Sequence, residues 1–285
     1  MNIISGGTGQ IGSALANALL KSGEAVTIIS RSSKSAADWQ AKGAKFAVAD
    51  IYDTEGLHRI FQTGKNIFVL NPPADPLTDT DLQERKTVAS LVEALKGTQA
   101  EKIVVASTLG AQPGSRIGDL NTLYDLEQGI GTLGYPYQII RSAYYMSNWA
   151  SSLPIIKETG ELISFFPKAL KIPMVAPRDI GELAAKFMTT KNGTELNAIV
   201  GPELYSPQDV ADAFSSALGQ KVSVKVIPEQ QWTDAFKSAG FSDEAAASYA
   251  AMTEIAANHI EVPKNAVRAE ITLQQYIDGL VKEYD

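Results

Sequence analysis

The chain has 285 residues, 45% hydrophobic and 20% charged, the make-up of a globular protein long enough for one large α/β domain with an appended lobe. A net charge of −7 argues against a protein built to neutralise nucleic-acid phosphates, and no apolar run approaches the roughly 18 residues of a membrane span. There is no cysteine, and His58 and His259 are the two histidines, so disulfides, thiolate metal sites and cysteine nucleophiles are excluded, no metal site is expected, and a cytoplasmic protein without membrane or nucleic-acid partners is the expectation.

The chain opens on a short apolar run, Ile3-Ile4, followed by glycines at 6, 7, 9 and 12 and then by an amphipathic segment with Ile11, Leu15 and Leu19 on one helical face. Strand, glycine turn and helix in this order open a dinucleotide-binding unit. A pyrophosphate sits on a helix N-terminus only where the backbone comes close, and glycine permits that approach because it lacks Cβ. Gly6, Gly9 and Gly12 give G-x-x-G-x-x-G, one residue different from the commoner spacing. Gly6, Thr8, Gly9, Gln10, Ile11 and Gly12 are therefore the expected pyrophosphate contacts, the alternative being a glycine turn with no ligand.

Residues 25–29 read as a second strand ending at Ser30-Arg31-Ser32-Ser33-Lys34. An acid at this place usually takes the ribose 2′-hydroxyl of NAD. Here Arg31, with Lys34, is suited to a 2′-phosphate, so NADP(H) is expected in preference to NAD(H), unless the segment is only a solvated basic loop. A third strand at 45–49 leads to Asp50 and Ile51, either adenine-edge residues or, for Asp50, the cap of a helix starting near Thr54. A fourth strand, 66–70, is stopped by Asn71-Pro72-Pro73, a turn expected to wall the cofactor cleft. A helix over about 82–96 precedes a fifth strand at 102–106. Ser107 at its end is expected to face the nicotinamide.

The loop 111–118 reads as a flexible flap, 119–132 as a helix carrying Tyr124 and Glu127, and 135–141 as a sixth strand. Beyond it, 153–166 reads as a helix and a strand, 173–177 as a loop, and 178–188 as a helix capped by Asp179. A strand at 196–200, a helix at 207–218, a strand at 222–227, a helical stretch over 230–260 and a last helix at 273–284 complete the chain. The alanine-rich part, 244–257, suits either a partner face or close-packed core. The expected fold is α/β: a Rossmann-like doubly wound parallel sheet over 1–150, with a smaller, mostly helical lobe over 151–285. Elements near 178–200 are expected to return to the first unit.

With these pieces in view the chain resembles the NmrA-like family, an atypical short-chain dehydrogenase/reductase group that includes type 2 NAD(P)H:quinone oxidoreductases and triphenylmethane reductases. Gly6-Gly7-Thr8-Gly9-Gln10-Ile11-Gly12, Arg31, Arg141-Ser142-Ala143-Tyr144-Tyr145-Met146-Ser147-Asn148 and Pro177-Arg178-Asp179-Ile180-Gly181 carry the resemblance. It implies a Rossmann-like domain, a smaller C-terminal domain and a cofactor cleft between them. The chain also departs from the pattern. Ordinary short-chain dehydrogenases use Tyr-x-x-x-Lys, and Gln128 stands where that lysine would follow Tyr124. In the similar reductases a lysine or histidine commonly lies four residues before the helix glutamate, and Leu123 holds that position relative to Glu127.

Two functions are compatible with this pattern. One is an NADPH-dependent reductase of a quinone-like or other electron-poor aromatic acceptor, which needs no strong protein acid. Tyr144, Tyr145, Met146 and Phe166 would form its substrate pocket, unless they only pack the lobes together, and Ser107, Tyr124 and Tyr145 would supply hydroxyls near the reacting oxygen. The other is a non-catalytic NADP(H) redox sensor that reports to a regulatory protein partner. Either is expected as a monomer or homodimer. Hydrolase chemistry is disfavoured, since neither histidine lies in a nucleophile-turn context.

Overall fold

The computed structural model describes residues 1–190, 194–259 and 261–284. Alternating strands and helices form the first half: β1 (Asn2–Ile4), α1 (Gln10–Lys21), β2 (Val26–Ser30), α2 (Ala36–Ala41), β3 (Lys45–Val48), α3 (Thr54–Phe61), β4 (Asn66–Leu70), α4 (Thr80–Leu95), β5 (Lys102–Thr108), α5 (Asp119–Gly131) and β6 (Tyr137–Ser142). The second half contains β7 (Tyr144–Tyr145), a 3₁₀ turn at Met146–Ser152, α6 (Leu153–Thr159), β8 (Glu161–Ser164), β9 (Ile172–Val175), α7 (Pro177–Thr189) and β10 (Glu195–Val200). It continues with β11 (Leu204–Tyr205), α8 (Pro207–Leu218), β12 (Ser223–Val226), α9 (Trp232–Ser238), α10 (Asp243–Asn258), β13 (Val267–Arg268) and α11 (Leu273–Tyr284).

Eight strands form one parallel sheet in the order β13-β10-β6-β5-β4-β1-β2-β3. Its strand order reverses between β1 and β4, where Asn2 pairs with Val26 on one side and Asn66 on the other. Open α/β sheets bind ligands outside the carboxyl ends of their strands at such a point. β10 and β13 come from the second half, so that half both builds the lobe and completes the sheet. The lobe adds two small sheets, β11-β9-β7 and β12-β8.

The two-residue period of a strand decides what each sheet face buries. Ile4, Ile28, Phe68, Val104 and Ile140 pack on one face with Leu15 of α1 and Ile180 of α7. Ile3, Ile29, Ile67, Ile103, Val105 and Ile139 pack on the other with Leu57 of α3, Leu91 of α4 and Leu126 of α5. Gly181 sets how closely α7 lies on α1: a Cβ there would stand 2.6 Å from the Ile11 carbonyl oxygen and 2.7 Å from the Leu15 nitrogen. The lobe has its own core around Trp149, Phe214 and Ile277.

Several local expectations are corrected. Residues 172–175 are a strand rather than a loop, because Met174-Val175 is an apolar pair that fills the space between β7 and β11. The N-cap of α7 is Ala176, with Pro177 at the first helical position, where its fixed φ is favourable, and Asp179 instead accepts from the Ile271 amide at 3.4 Å. Asp53, not Asp50, caps α3 by accepting from the Gly56 amide at 2.9 Å, while Asp50 holds the Tyr52 amide. The stretch 230–260 breaks at Gly240, φ +92°, and α10 restarts with Ser242 as its cap; Ile260 lies outside the described residues. The loop 111–118 is pinned rather than loose: Arg116 pairs with Asp79 at 2.7 Å, its amide donates to Asp81, and Gly118 donates to Ser248 of α10 at 2.9 Å.

Candidate functional site

The glycine turn sits at the switch point. Gly6 adopts φ +62°, which a side chain would strain, and the Gly9 amide closes the turn on the Gly6 carbonyl at 3.0 Å. Gly9 is also the N-cap of α1, which has no side-chain cap and no acidic residue in its first turn. The positive end of the helix dipole is therefore open, with Gly6, Thr8, Gly9 and Gln10 exposed around it. A Cβ on Gly12 would run into the Gly6 carbonyl and Gly7, so the first helical turn stacks on the loop only with glycine there. The Ile11 side chain is buried in the core, which leaves only its backbone facing the turn. Two hydroxyls lock the surroundings: Ser5 Oγ accepts from the Leu70 amide at 3.0 Å, and Thr8 Oγ1 lies 3.2 Å from Ser30 Oγ.

Arg31 and Lys34 are exposed just past β2, on the same side as the turn, and among the described residues neither enters an ion pair. Asp50 is exposed beyond β3; Ile51 is half-buried and its carbonyl accepts from Ser90. Asn71 is held by Thr87, whose hydroxyl donates to its Oδ1 at 2.5 Å. An uncapped helix start, a backbone kept clear by glycines and two free cations at the second strand fit a dinucleotide carrying a 2′-phosphate.

Beside the turn, above the carboxyl ends of β4 and β5, lies a cavity of about 490 Å³. Its floor is Leu70, Asn71, Pro73 and Ala106, and one side is Glu84, Asp119 and Leu123. The lobe supplies the opposite wall with Tyr144, Tyr145, Asn148, Phe165 and Phe166, and the roof with Phe236, Phe241, Tyr249, Met252 and Thr253. A side compartment of about 130 Å³ continues past Tyr144 and Tyr145 to Thr108 and Ser142. The rings hold one another: Phe165 stacks on Phe236 at 4.4 Å, Phe241 meets Tyr249 edge-on at 5.0 Å, and Tyr144 meets Phe166 edge-on at 5.5 Å. Ser242 ties the roof down, donating from its amide to the Pro76 carbonyl and from its hydroxyl to the Thr78 carbonyl, each at 2.8 Å.

Of the expected substrate contacts, Tyr144, Tyr145 and Phe166 line this cavity and Met146 does not. Met146 is fully buried in the lobe core, because the chain turns into the 3₁₀ segment directly after Tyr145. Ser107 is also displaced from its expected place. It shares the period of Ile103 and Val105 and so points to the α5 side of the sheet, where its hydroxyl donates to Glu127 at 2.5 Å. Arg141 closes the group with two bonds to the same carboxylate, at 2.8 and 2.5 Å. Tyr124 is half-buried outside the cavity lining, since Asp119 and Leu123, one turn apart, form the cavity-facing row of α5. Pro73 lines the cavity and Pro72 does not. Glu84, Asp119 and the rings at 236–249 are wall residues that sequence reading missed. The trace they leave is the Tyr249, Met252, Thr253 row, spaced three and four apart within an alanine-rich helix.

Burial dominates the electrostatics of this cavity. It pushes the Glu84 carboxyl up to about 7, with Asp119 and Asp81 adding to the rise, although the Ala74 amide and the Thr122 hydroxyl donate to it at 3.2 and 2.8 Å. Burial raises Asp119 as well, against a bond from its own backbone amide. The Tyr144 hydroxyl is pushed up to about 12 by burial, and those of Tyr145 and Tyr249 are raised by burial and by the nearby Asp119. All three phenols are therefore hydrogen-bond donors across the physiological range. Among the described residues no lysine, arginine or histidine lines either compartment, and no group of three histidine, aspartate or glutamate side chains is arranged to hold a metal. No described helix is long and apolar enough to cross a membrane.

Comparison with known proteins supports the same architecture. An NAD(P)H azoreductase of Xenophilus azovorans is 27% identical over 86% of this chain and 84% of its own length. The NADPH-dependent quinone oxidoreductase of Escherichia coli, solved in complex with NADPH, superposes with a TM-score of 0.75 at 21% identity, over 99% of this chain and 100% of that one. The triphenylmethane reductase of a Citrobacter species superposes at 0.78 and 19% identity, over 99% of both chains. The sequence pattern of the NmrA-like family matches residues 3–281, and the chain belongs to that family.

Proposed function

We propose that this protein is an NADPH-dependent reductase that delivers hydride to a quinone-like or other electron-poor aromatic acceptor. The observation that carries this reading is the juxtaposition of the open α1 N-terminus with an aromatic cavity at the carboxyl ends of β4 and β5. The azoreductase and the quinone oxidoreductase to which the chain is similar support it.

The uncapped backbone amides of Gln10 to Gly12 at the start of α1 would hold the pyrophosphate, and Arg31 with Lys34 would take the 2′-phosphate. Asp50 and Ile51 would border the adenine, and Asn71 and Pro73 would border the nicotinamide end. The reduced cofactor supplies a hydride, with its two electrons. The side chains Tyr144, Phe165 and Phe166 sandwich a flat acceptor and exclude water. Tyr145, kept protonated, donates a hydrogen bond to an acceptor oxygen or nitrogen. A second reading, a redox sensor working through a protein partner, draws on Leu123, which puts a hydrocarbon side chain in the cavity wall where similar reductases carry a proton donor.

The test is NADPH oxidation by purified protein against benzoquinones, naphthoquinones and azo dyes, with NADPH affinity measured by calorimetry. Saturable turnover of one acceptor class is the expected result. Tight NADPH binding with no turnover of any acceptor favours the sensor, and absence of NADPH binding refutes both.

A further inference from the structure

Two carboxyl groups border the same cavity, Glu84 on α4 and Asp119 at the first position of α5, and the fold gives them unequal surroundings. Glu84 is 4% exposed, and both its oxygens are engaged, one by the Ala74 amide at 3.2 Å and one by the Thr122 hydroxyl at 2.8 Å. Thr122 lies three residues after Asp119, so the two acids stand beside the same turn of α5. Asp119 is half-buried, borders the main cavity and the side compartment, and among the described residues its carboxyl has no side-chain partner. No cation relieves the pair. The nearby arginines are engaged elsewhere: Arg85 pairs with Asp81 at 2.9 Å and with Asp125, and Arg116 pairs with Asp79. The other titratable groups turned toward the pair are Asp81 from α4, Tyr144 and Tyr145 from β7 and Tyr249 from α10, none of which brings positive charge. Two like charges in such a place do not both form readily near neutral pH, so the acids together keep one proton. Burial raises both of them, and Glu84 ionises at about 7.

We propose that Glu84 and Asp119 form a proton-sharing pair, and that Asp119 gives the shared proton to the acceptor as hydride arrives. The donor role rests on the reductase reading, whereas the retained proton is a property of the pair alone. Hydride bonds to one end of the conjugated acceptor, a quinone or an azo group, and the cofactor is oxidised by two electrons. The displaced π pair moves onto the oxygen or nitrogen at the other end, and that atom takes the proton. The O–H bond of the acid breaks, a new O–H or N–H bond forms, and a carboxylate remains. That carboxylate lies in the first turn of α5, which has no side-chain cap, so the positive end of the helix dipole steadies the anion until solvent returns the proton. Asp119 stands one turn before Leu123 on the cavity-facing row of α5, and it supplies what the hydrocarbon side chain of Leu123 cannot.

The pH dependence of naphthoquinone and azo-dye reduction, from about pH 6 to about pH 9, tests the donor. In the wild type kcat should be level at the acid end and fall as pH rises past about 7, because the protonated form is the one that acts. Asp119→Asn keeps the size of the acid without its acidic proton. In it kcat should fall about hundredfold at the acid end and the alkaline fall should vanish, with KM and NADPH affinity within about threefold of the wild type. Glu84→Gln leaves Asp119 with no neighbouring carboxylate, so the alkaline fall should move to lower pH by about one unit or more. Unchanged kcat in Asp119→Asn overturns the donor role, and an unmoved profile in Glu84→Gln overturns the pairing; either result leaves the reductase reading intact. A second readout needs neither cofactor nor turnover. Infrared difference spectra of the wild type across the same pH range should show a protonated-carboxyl C=O band that is lost toward the alkaline end, and that is missing or displaced in each variant. Absence of the band in the wild type overturns the proposal. A band present with no turnover of any acceptor refutes the reductase reading and with it the donor role, and leaves the shared proton supported.

Discussion

Glu84→Gln isolates the titration of one buried carboxyl at the edge of the cavity. Glu84 is 4% exposed, and burial, helped by Asp119, moves its ionisation from 4.5 up to about 7. The amide of the variant mimics the protonated acid: its oxygen still accepts from the Ala74 amide, and its nitrogen donates to Thr122. Because the folded-state value is raised, the native state holds the proton that the unfolded chain gives up. Below pH 4.5 both states are protonated and the wild type has no penalty. As pH rises from there through 7 the wild type loses stability, by about 3 kcal/mol once the group is ionised in both states. The variant loses none of this. In urea unfolding, the two proteins should have similar stability at about pH 4.5, and the variant should be more stable by about 3 kcal/mol at about pH 8.5. In thermal melts the gap corresponds to roughly 6–12 °C at the alkaline end. A difference that stays constant with pH, or that widens toward acid, refutes the reasoning.

Gly181→Ala forces α7 away from α1 and should cost roughly 1–3 kcal/mol in denaturant unfolding, with weaker NADPH binding because α1 carries the glycine turn; an unchanged midpoint would mean that the helices can separate freely. Ser107→Ala should cost about 1 kcal/mol of stability and leave kcat within about twofold, whereas Glu127→Ala, which strips Arg141 of its partner, should cost about 3–5 kcal/mol. A large fall in kcat for Ser107→Ala in stably folded protein would return that hydroxyl to the reaction. Arg31→Ala should weaken NADPH about tenfold or more and NADH little, measured by calorimetry; equal losses would remove Arg31 from the 2′-phosphate site.

The parts of this fold legible in the sequence are those written in neighbouring residues. The strand at 66–70 and the helices at 207–218 and 273–284 match their expected limits because apolar periodicity runs through them and neighbouring proline or cap residues, such as Pro72, Ser206 and Thr272, mark where they stop or start. Two-residue strands such as β7, β11 and β13 carry no period, and only their partners define them. The glycine turn was readable for the same local reason. The cavity was readable only in part: Asn71, Pro73, Tyr144, Tyr145 and Phe166 were expected in its lining, whereas Glu84, Asp119, Phe165 and the rings at 236–249 join them only once the lobe closes. Ser107 is a different case: the strand period already groups it with Ile103 and Val105, so its direction was written in the sequence, and the expectation of a hydroxyl at a strand end obscured it.

The position of β10 and β13 at one edge of the large sheet has a consequence for how the chain is made. During synthesis, a nascent chain of about 150 residues already contains six strands of the large sheet, but β6 is then a bare edge and the apolar face that α7 covers is open to water. The first half is therefore not a finished unit awaiting a second one. Its sheet is completed only after residue 268 has emerged, by which time most of the lobe has been threaded between β6 and β13. Exchange of acceptor specificity between relatives by cutting the chain once near residue 150 would sever this edge. A graft that respects it leaves α7, β10 and β13 with their own sheet and replaces the intervening segments.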